Sequence, residues 1–265
     1  MLVVISPAKR LDWTVRATRP LSEPAFLDDA NALASIARQL SVGDLRRLMG
    51  LSADLAQLNH ARFSGYSDVS DPEQVRPAAL AFAGDTYSGL RAGSLTEAEM
   101  SWAQDHLRIL SGLYGLLRPM DAIQPYRLEM GSRLKNDRGA HLYAFLGDRL
   151  SCALNAQAKV VGTGLLLNCA SQEYFGAVDP EALDLDVISP SFLEEKDGTS
   201  RTVSFFAKKA RGAMARFVVS NRITQVKELT DFDFEGYAFD PMASTFDRPV
   251  FRRPYPQPVR LGKAG

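Results

Sequence analysis

Cysteine is nearly absent from this chain. Cys152 and Cys169 are the only two among 265 residues, too few for a disulfide framework, so a reducing compartment is expected. Histidine is equally scarce. His60, His106 and His141 are scattered and neither cysteine has a partner at CxxC spacing, so neither a metal centre nor a cofactor is expected. No apolar run approaches the roughly 18 residues that span a bilayer, and no membrane association is expected. The opening MLVVISPAKR sets a short apolar stretch before its charges, the reverse of a secretory signal; a cytoplasmic location follows as the expectation. P-loop, GxGxxG and GxSxG patterns are missing too.

Net charge is also missing: 31 Lys and Arg balance 31 Asp and Glu. The balance is uneven along the chain. From Gly198 to Lys227 stand Arg201, Lys208, Lys209, Arg211, Arg216, Arg222 and Lys227, without one acid. The N-terminal segment carries Lys9, Arg10, Arg16 and Arg19 against Asp12 alone. Such asymmetry builds a positive surface on a neutral protein, and a surface of that kind attracts polyanions.

What the chain does have is short strands and helices in alternation. Leu2–Ile5 reads as a buried strand running into the loop Ser6 to Arg10. Helical spacing follows Pro24, through Phe26, Leu33, Ile36 and Leu40. Ser52 is placed to cap a helix through Phe63, and Thr96 with Glu99 forms a capping-box pattern launching a helix through Trp102, His106 and Ile109. A short strand is expected over Ala79 to Phe82, a helix over Leu142 to Leu154, and buried strands at Leu165 to Asn168 and Leu185 to Ser189. Asp197-Gly198 between Phe192-Leu193 and Val203–Phe205 signals a hairpin. Tyr237 to Phe239 and Val250-Phe251 suit short strands, with an extended Pro-rich tail over 252–265. With no repeat or linker, one mixed α+β domain spanning 1–265 is expected, short mixed sheets surrounded by helices.

The segment FFAKKARGAMARF, residues 205–217, combines charge with amphipathicity. At 100° per residue from Lys208, Lys209 lies at 100°, Arg211 at 300°, Arg216 at 80° and Gly212 at 40°. Ala210, Ala213, Met214 and Phe217 form the opposite, core-facing side. Gly212 leaves a bare spot on the charged face, as close approach of a backbone or a phosphate requires. The competing reading is a solvated surface helix whose charges pair with acids elsewhere.

HLRILSGLYGLLRPMD, residues 106–121, reads as a helix closed at Gly112, a tight turn, and a second apolar stretch from Gly115. That is a helix-hairpin-helix pattern with one residue too many between its glycines, and its amides could serve a phosphate. An ordinary C-cap glycine is the alternative. Asn168 to Tyr174 and Gln124 to Glu129 are dense polar runs, from which Glu173, Tyr126 and Glu129 are the candidate acids or bases.

Together ISPAK at 5–9, AFAGDTYSGL at 81–90, HLRILSGLYGLLRPMDAIQPYRLEMG at 106–131, NCASQEYF at 168–175 and SFFAKKARGAMARF at 204–217 resemble the YaaA family of bacterial peroxide-stress proteins. The resemblance implies a domain of unusual topology with a positive cleft and a helix-hairpin-helix that binds duplex DNA. It also implies roles in surviving hydrogen peroxide, restraining free iron and protecting DNA. Carried to this chain, Gly112 and Gly115 belong to the hairpin, and Lys9, Lys208, Lys209 and Arg211 are cleft cations. Arg10 stands where Thr is common in the family and adds positive charge. Arg118, Arg127 and Arg216 complete the expected anion-binding set. Two functions remain open at this point. One is a DNA-binding stress protein that takes duplex or bulged DNA. The other is an enzyme acting on a small anion or damaged nucleic acid in the same cleft.

Overall fold

The run Leu2-Val3-Val4-Ile5 is completely buried, and that burial fixes its place. A strand apolar on both faces belongs in the middle of a covered, parallel sheet. In the computed structural model, which describes residues 1–69 and 71–256, it is the central strand of five. The order across the sheet is Gly115–Leu117, Leu107–Ser111, Leu2–Ile5, Leu165–Cys169 and Asp186–Ile188. Val3 pairs with Leu107 on one side and with Leu167 on the other. All these pairings are parallel except the edge hairpin of Leu107–Ser111 with Gly115–Leu117.

A smaller sheet runs Thr199–Arg201, Ser191–Lys196, Val250–Pro254, Ala238–Phe239. Phe192, Phe232, Tyr237 and Phe251 pack as an aromatic cluster beneath it. Buried Arg253 is held between the Phe206 and Tyr237 rings, 4.6 and 4.4 Å from their centres, with the buried Glu194 carboxylate 3.5 Å away. Between the two sheets lies the long basic helix Ser204–Asn221, which contacts strands of both. Helices Leu27–Arg38, Val42–Met49, Ala53–Ser64, Glu97–His106 and Arg149–Val161 complete the surround. The architecture is α+β, as the alternation in the sequence implies.

Local rules account for many boundaries. Thr96 and Glu99 form the capping box, with the Glu99 amide donating to Thr96 Oγ1 at 3.2 Å and the Thr96 amide to Glu99 Oε2 at 2.7 Å. Ser52 caps its helix, and Asp197-Gly198 turns with φ of 53° and 73°, the two left-handed residues that a tight hairpin needs.

Several expectations are corrected. The helix from Thr96 stops at His106, because Leu107–Ser111 is wholly buried and pairs with the central strand. The segment 106–121 is therefore a strand–turn–strand hairpin, and the helix-hairpin-helix reading does not hold for it. Ala78–Ala81 is a helical turn before a two-residue strand. The stretch 142–154 divides at Gly147 into Leu142–Leu146 and the start of Arg149–Val161. The second strand of the 197–198 hairpin is Thr199–Arg201, with helix already begun at Ser204. Arg252 to Pro254 of the expected tail are strand, paired with Leu193 to Glu195; the tail's last part, 257–265, lies outside the described residues.

Gly212 has a reason that its helix alone does not reveal. A Cβ there would stand 1.7 Å from the carbonyl oxygen of Thr86, and one on Gly89 would stand 2.0 Å from the carbonyl of Lys209. The basic helix and the short helix Asp85–Leu90 therefore touch backbone to backbone. The bare spot on the charged face is filled by protein, so it is not open to a phosphate.

Candidate functional site: a cationic cleft at the sheet edge

The chain leaves the central strand Leu2–Ile5 and pairs again first at Leu107–Ser111 on one side, then at Leu165–Cys169 on the other. Loops leaving the carboxyl ends of the two parallel strands Leu2–Ile5 and Leu165–Cys169 diverge there, the place where open α/β sheets characteristically hold ligands. The two loops are tied together. Ser6 Oγ accepts from the Ser171 amide at 2.9 Å and lies 3.4 Å from Ser171 Oγ, while Tyr87 donates to the Ser6 carbonyl at 3.2 Å.

A cleft of about 440 Å³ opens above this junction. Four cations line it: Lys9 from the first loop, Arg10 from the two-residue strand Arg10–Leu11 that pairs with Phe82–Ala83, and Lys208 and Arg211 from the basic helix. Two carboxylates share it, Asp85 at the start of the short helix and Glu173 beyond the second strand. Buried Tyr174 and the Cys169 thiol complete the wall.

The helix stripe divides at Gly212. Lys208 and Arg211 face the cleft, and neither makes an ion pair or side-chain hydrogen bond with any described residue; the same is true of Arg10 and Asp85. On the other side of the crossing, Lys209 pairs with Glu235. Arg216 donates to the Leu90 and Arg91 carbonyls and to Ser94 Oγ, so it braces the turn after the short helix. These two are occupied by the fold.

Lys9 sits at the cleft but is not free. Its ammonium lies 2.7 Å from Glu129 Oε2, and Arg127 lies 2.7 Å from Glu129 Oε1. Burial alone pushes the Glu129 carboxyl up, but hydrogen bonds and charge from Lys9 and Arg127 outweigh it and hold the group below the ordinary carboxylate range. Glu129 is thus a charge clamp. Arg118 pairs with buried Asp121 at 3.0 Å, away from the cleft.

The glycine hairpin also turns inward. A Cβ at Gly112 would meet the Leu128 carbonyl at 2.3 Å, and Gly115 (φ +62°) lies against Leu150 and Phe26. The Leu113 and Tyr114 amides both donate to Ser111 Oγ. With these two amides engaged and the whole turn buried away from the cleft, Gly112 and Gly115 fall outside the site. Tyr126 goes too, for its hydroxyl is buried 2.6 Å from Ser111 Oγ and its pKa is raised by burial.

Of the three acid–base candidates, Glu173 alone reaches the cleft, with Oε1 accepting from the Gly131 amide at 3.1 Å. Burial pushes the Cys169 thiol up to about 12, against a partial lowering by Arg211; it is a wall residue, protonated at neutral pH. Asp85 is the functional candidate that the sequence reading missed. Its signal in the sequence is the carboxylate that follows Gly84 within AFAGDTYSGL at 81–90. Among the described residues no group of three His, Cys, Asp or Glu gathers in a metal-holding cluster, and no helix is long and apolar enough to cross a membrane.

Fold and cleft together define an α+β protein that presents converging cations at the carboxyl edge of a parallel-centred sheet. The family profile described as Peroxide stress protein YaaA matches residues 1–243, and the chain belongs to that family. It is 64% identical to a UPF0246 protein of Roseobacter denitrificans, covering 97% of this chain and 99% of the relative. It is 63% identical to one of Ruegeria pomeroyi over 96% and 99%, and 53% identical to one of Phenylobacterium zucineum over 97% of each.

Proposed function

We propose that this peroxide-stress family member binds DNA through the cleft, with Lys208 and Arg211 as its principal phosphate contacts and Arg10 and Lys9 at the rim. The observation that carries the reading is the convergence of Arg10, Lys208 and Arg211 on one open cleft without a carboxylate partner. Unpaired cations of this kind gain most from a phosphate, because no internal pair must be broken first. The cleft has the volume of a small-molecule site, about 440 Å³, which favours bulged or otherwise distorted DNA over regular duplex. Under peroxide, covering such sites protects the DNA. Restraint of free iron enters this reading as an indirect effect.

A titration against bulged, intact and single-stranded DNA tests the proposal. With three to four phosphate contacts, binding should weaken with salt along a log–log slope of roughly −3. The double variant Lys208→Gln/Arg211→Gln should lose at least about tenfold in affinity and flatten the slope, while Lys209→Gln should bind like wild type. Equal binding by the double variant and the wild type overturns the proposal.

A second reading has one observation in its favour, the position of the cleft at the carboxyl ends of the diverging strands. Open sheets place small-ligand chemistry there, and Glu173 is the group that would handle a proton. Turnover of a small phosphorylated compound that depends on Glu173 is the result that would establish it.

A further inference from the structure

We infer that the occupant of the cleft is a single nucleoside phosphate unit, its phosphate on Lys208 and Arg211 and the donor edge of its base on Asp85, an inference that rests on the DNA-binding reading and narrows it. Size is the first argument. A volume of about 440 Å³ falls in the range of small-molecule sites, about 300 to 1,000 Å³, and is a small fraction of the space that a duplex segment fills. One unstacked nucleotide fits where a double helix does not.

Charge is the second argument. A site built for bare phosphates gains nothing from a carboxylate, yet Asp85 lines this one, half-buried and with no donor from any described residue. An ionised carboxylate can only accept hydrogen bonds, and a partly desolvated one without a donor is costly. The cleft is therefore bipolar, and a ligand that satisfies it carries N–H donors as well as negative charge. Rigidity is the third. Asp85 opens the short helix locked against the basic helix at Gly89 and Gly212, so the backbone positions that carry the carboxylate and the two cations are held at fixed separation.

Guanine answers this arrangement best. Its Watson–Crick edge presents two adjacent donors, N1–H and the N2 amino group, to the two oxygens of one carboxylate. Thymine presents N3–H alone between two carbonyls, which repel a carboxylate. In a duplex those donors are taken by the pairing partner, so the unit must be unpaired, whether as a free nucleotide or as an extruded position in a strand. Both sources offer the same chemistry.

The test has two arms. Calorimetric titrations compare dGMP with dTMP, and anisotropy titrations compare duplexes bulged by a single unpaired G or T. In at least one arm wild type should prefer G by roughly five- to tenfold, the value of one good base contact. Asp85→Asn should bring that ratio close to one without weakening T binding, and Lys208→Gln should weaken G and T alike. Asp85→Ala serves as a second variant, and circular dichroism verifies that both fold. A preference seen only with free nucleotides assigns the free ligand; one seen only with bulges assigns the strand. Equal G and T binding in both arms, or a ratio that survives both Asp85 variants, overturns the inference. DNA binding that persists without base preference sinks this inference alone, whereas G-selective nucleotide binding without DNA binding sinks the DNA-binding reading alone.

Discussion

Glu129 holds two cations at once: Lys9 on Oε2 and Arg127 on Oε1, each at 2.7 Å. One carboxylate thereby sets how much of the rim's positive charge is available to a ligand. Glu129→Gln should release Lys9 and raise affinity for bulged DNA about threefold at low salt, an advantage that fades as salt screens the added charge. The same change should cost about 1 to 2 kcal/mol of stability, since Arg127 is mostly buried and loses its partner. Because the folded-state pKa of Glu129 is depressed, its stabilisation is complete above the unfolded value near 4.3 and is lost as pH falls below it. Unfolding curves of wild type and variant should therefore differ at pH 7 and converge as pH falls through the depressed folded-state value.

The Gly212 crossing makes an unusually sharp stability prediction. Gly212→Ala would force a methyl group against the Thr86 carbonyl at 1.7 Å, and should destabilise by about 3 kcal/mol or prevent folding. Gly43→Ala, in the helix Val42–Met49 with nothing nearer than 3.7 Å, should instead stabilise by about 0.5 kcal/mol. Denaturant midpoints of the two variants decide the matter; similar effects would mean the two helices do not meet backbone to backbone.

Glu99 provides an acid-range test. Hydrogen bonds from Ser220 and from the Thr96 amide and hydroxyl draw its carboxyl down to about 2. Its contribution should be intact above pH ~4.5 and vanish as pH drops through about 2. Since the group is exposed, Glu99→Ala should cost no more than about 1 kcal/mol at pH 7, with the difference from wild type shrinking in acid.

The two thiols should behave in opposite ways. Cys152 is exposed and Cys169 buried, with the latter's pKa raised to about 12. Iodoacetamide at pH 8 should label Cys152 in the native protein and both residues only after denaturation. Native labelling of Cys169 would show that the cleft floor is open and the thiol available to oxidants.

What the sequence reveals and what it conceals divide along physical lines. Capping boxes, the Asp197-Gly198 turn and the buried run Leu2–Ile5 are legible because their causes lie within a few neighbouring residues. The partners of the glycines stay hidden for the opposite reason. Gly112 exists for the carbonyl of Leu128 and Gly212 for that of Thr86, and neither partner can be read from helical spacing. Pairing was hidden too: Lys209, Arg118 and Arg127 look as free as Lys208 until Glu235, Asp121 and Glu129 are placed beside them. The strand 107–111 passed for helix because its apolar residues suit either period in so short a run.

The position of Leu2–Ile5 has a consequence for the protein's birth. In the chain this segment lies about a hundred residues before its first neighbour in the finished sheet, Leu107–Ser111, and further still before its second, Leu165–Cys169. During synthesis four consecutive aliphatic residues therefore wait with both edges unpaired until Ser111 has been made, and with one edge unpaired until Cys169 has. Such long-range pairing folds slowly and leaves the chain exposed to aggregation meanwhile. Translation speed and chaperone supply should therefore set how soon newly made chains reach the folded state.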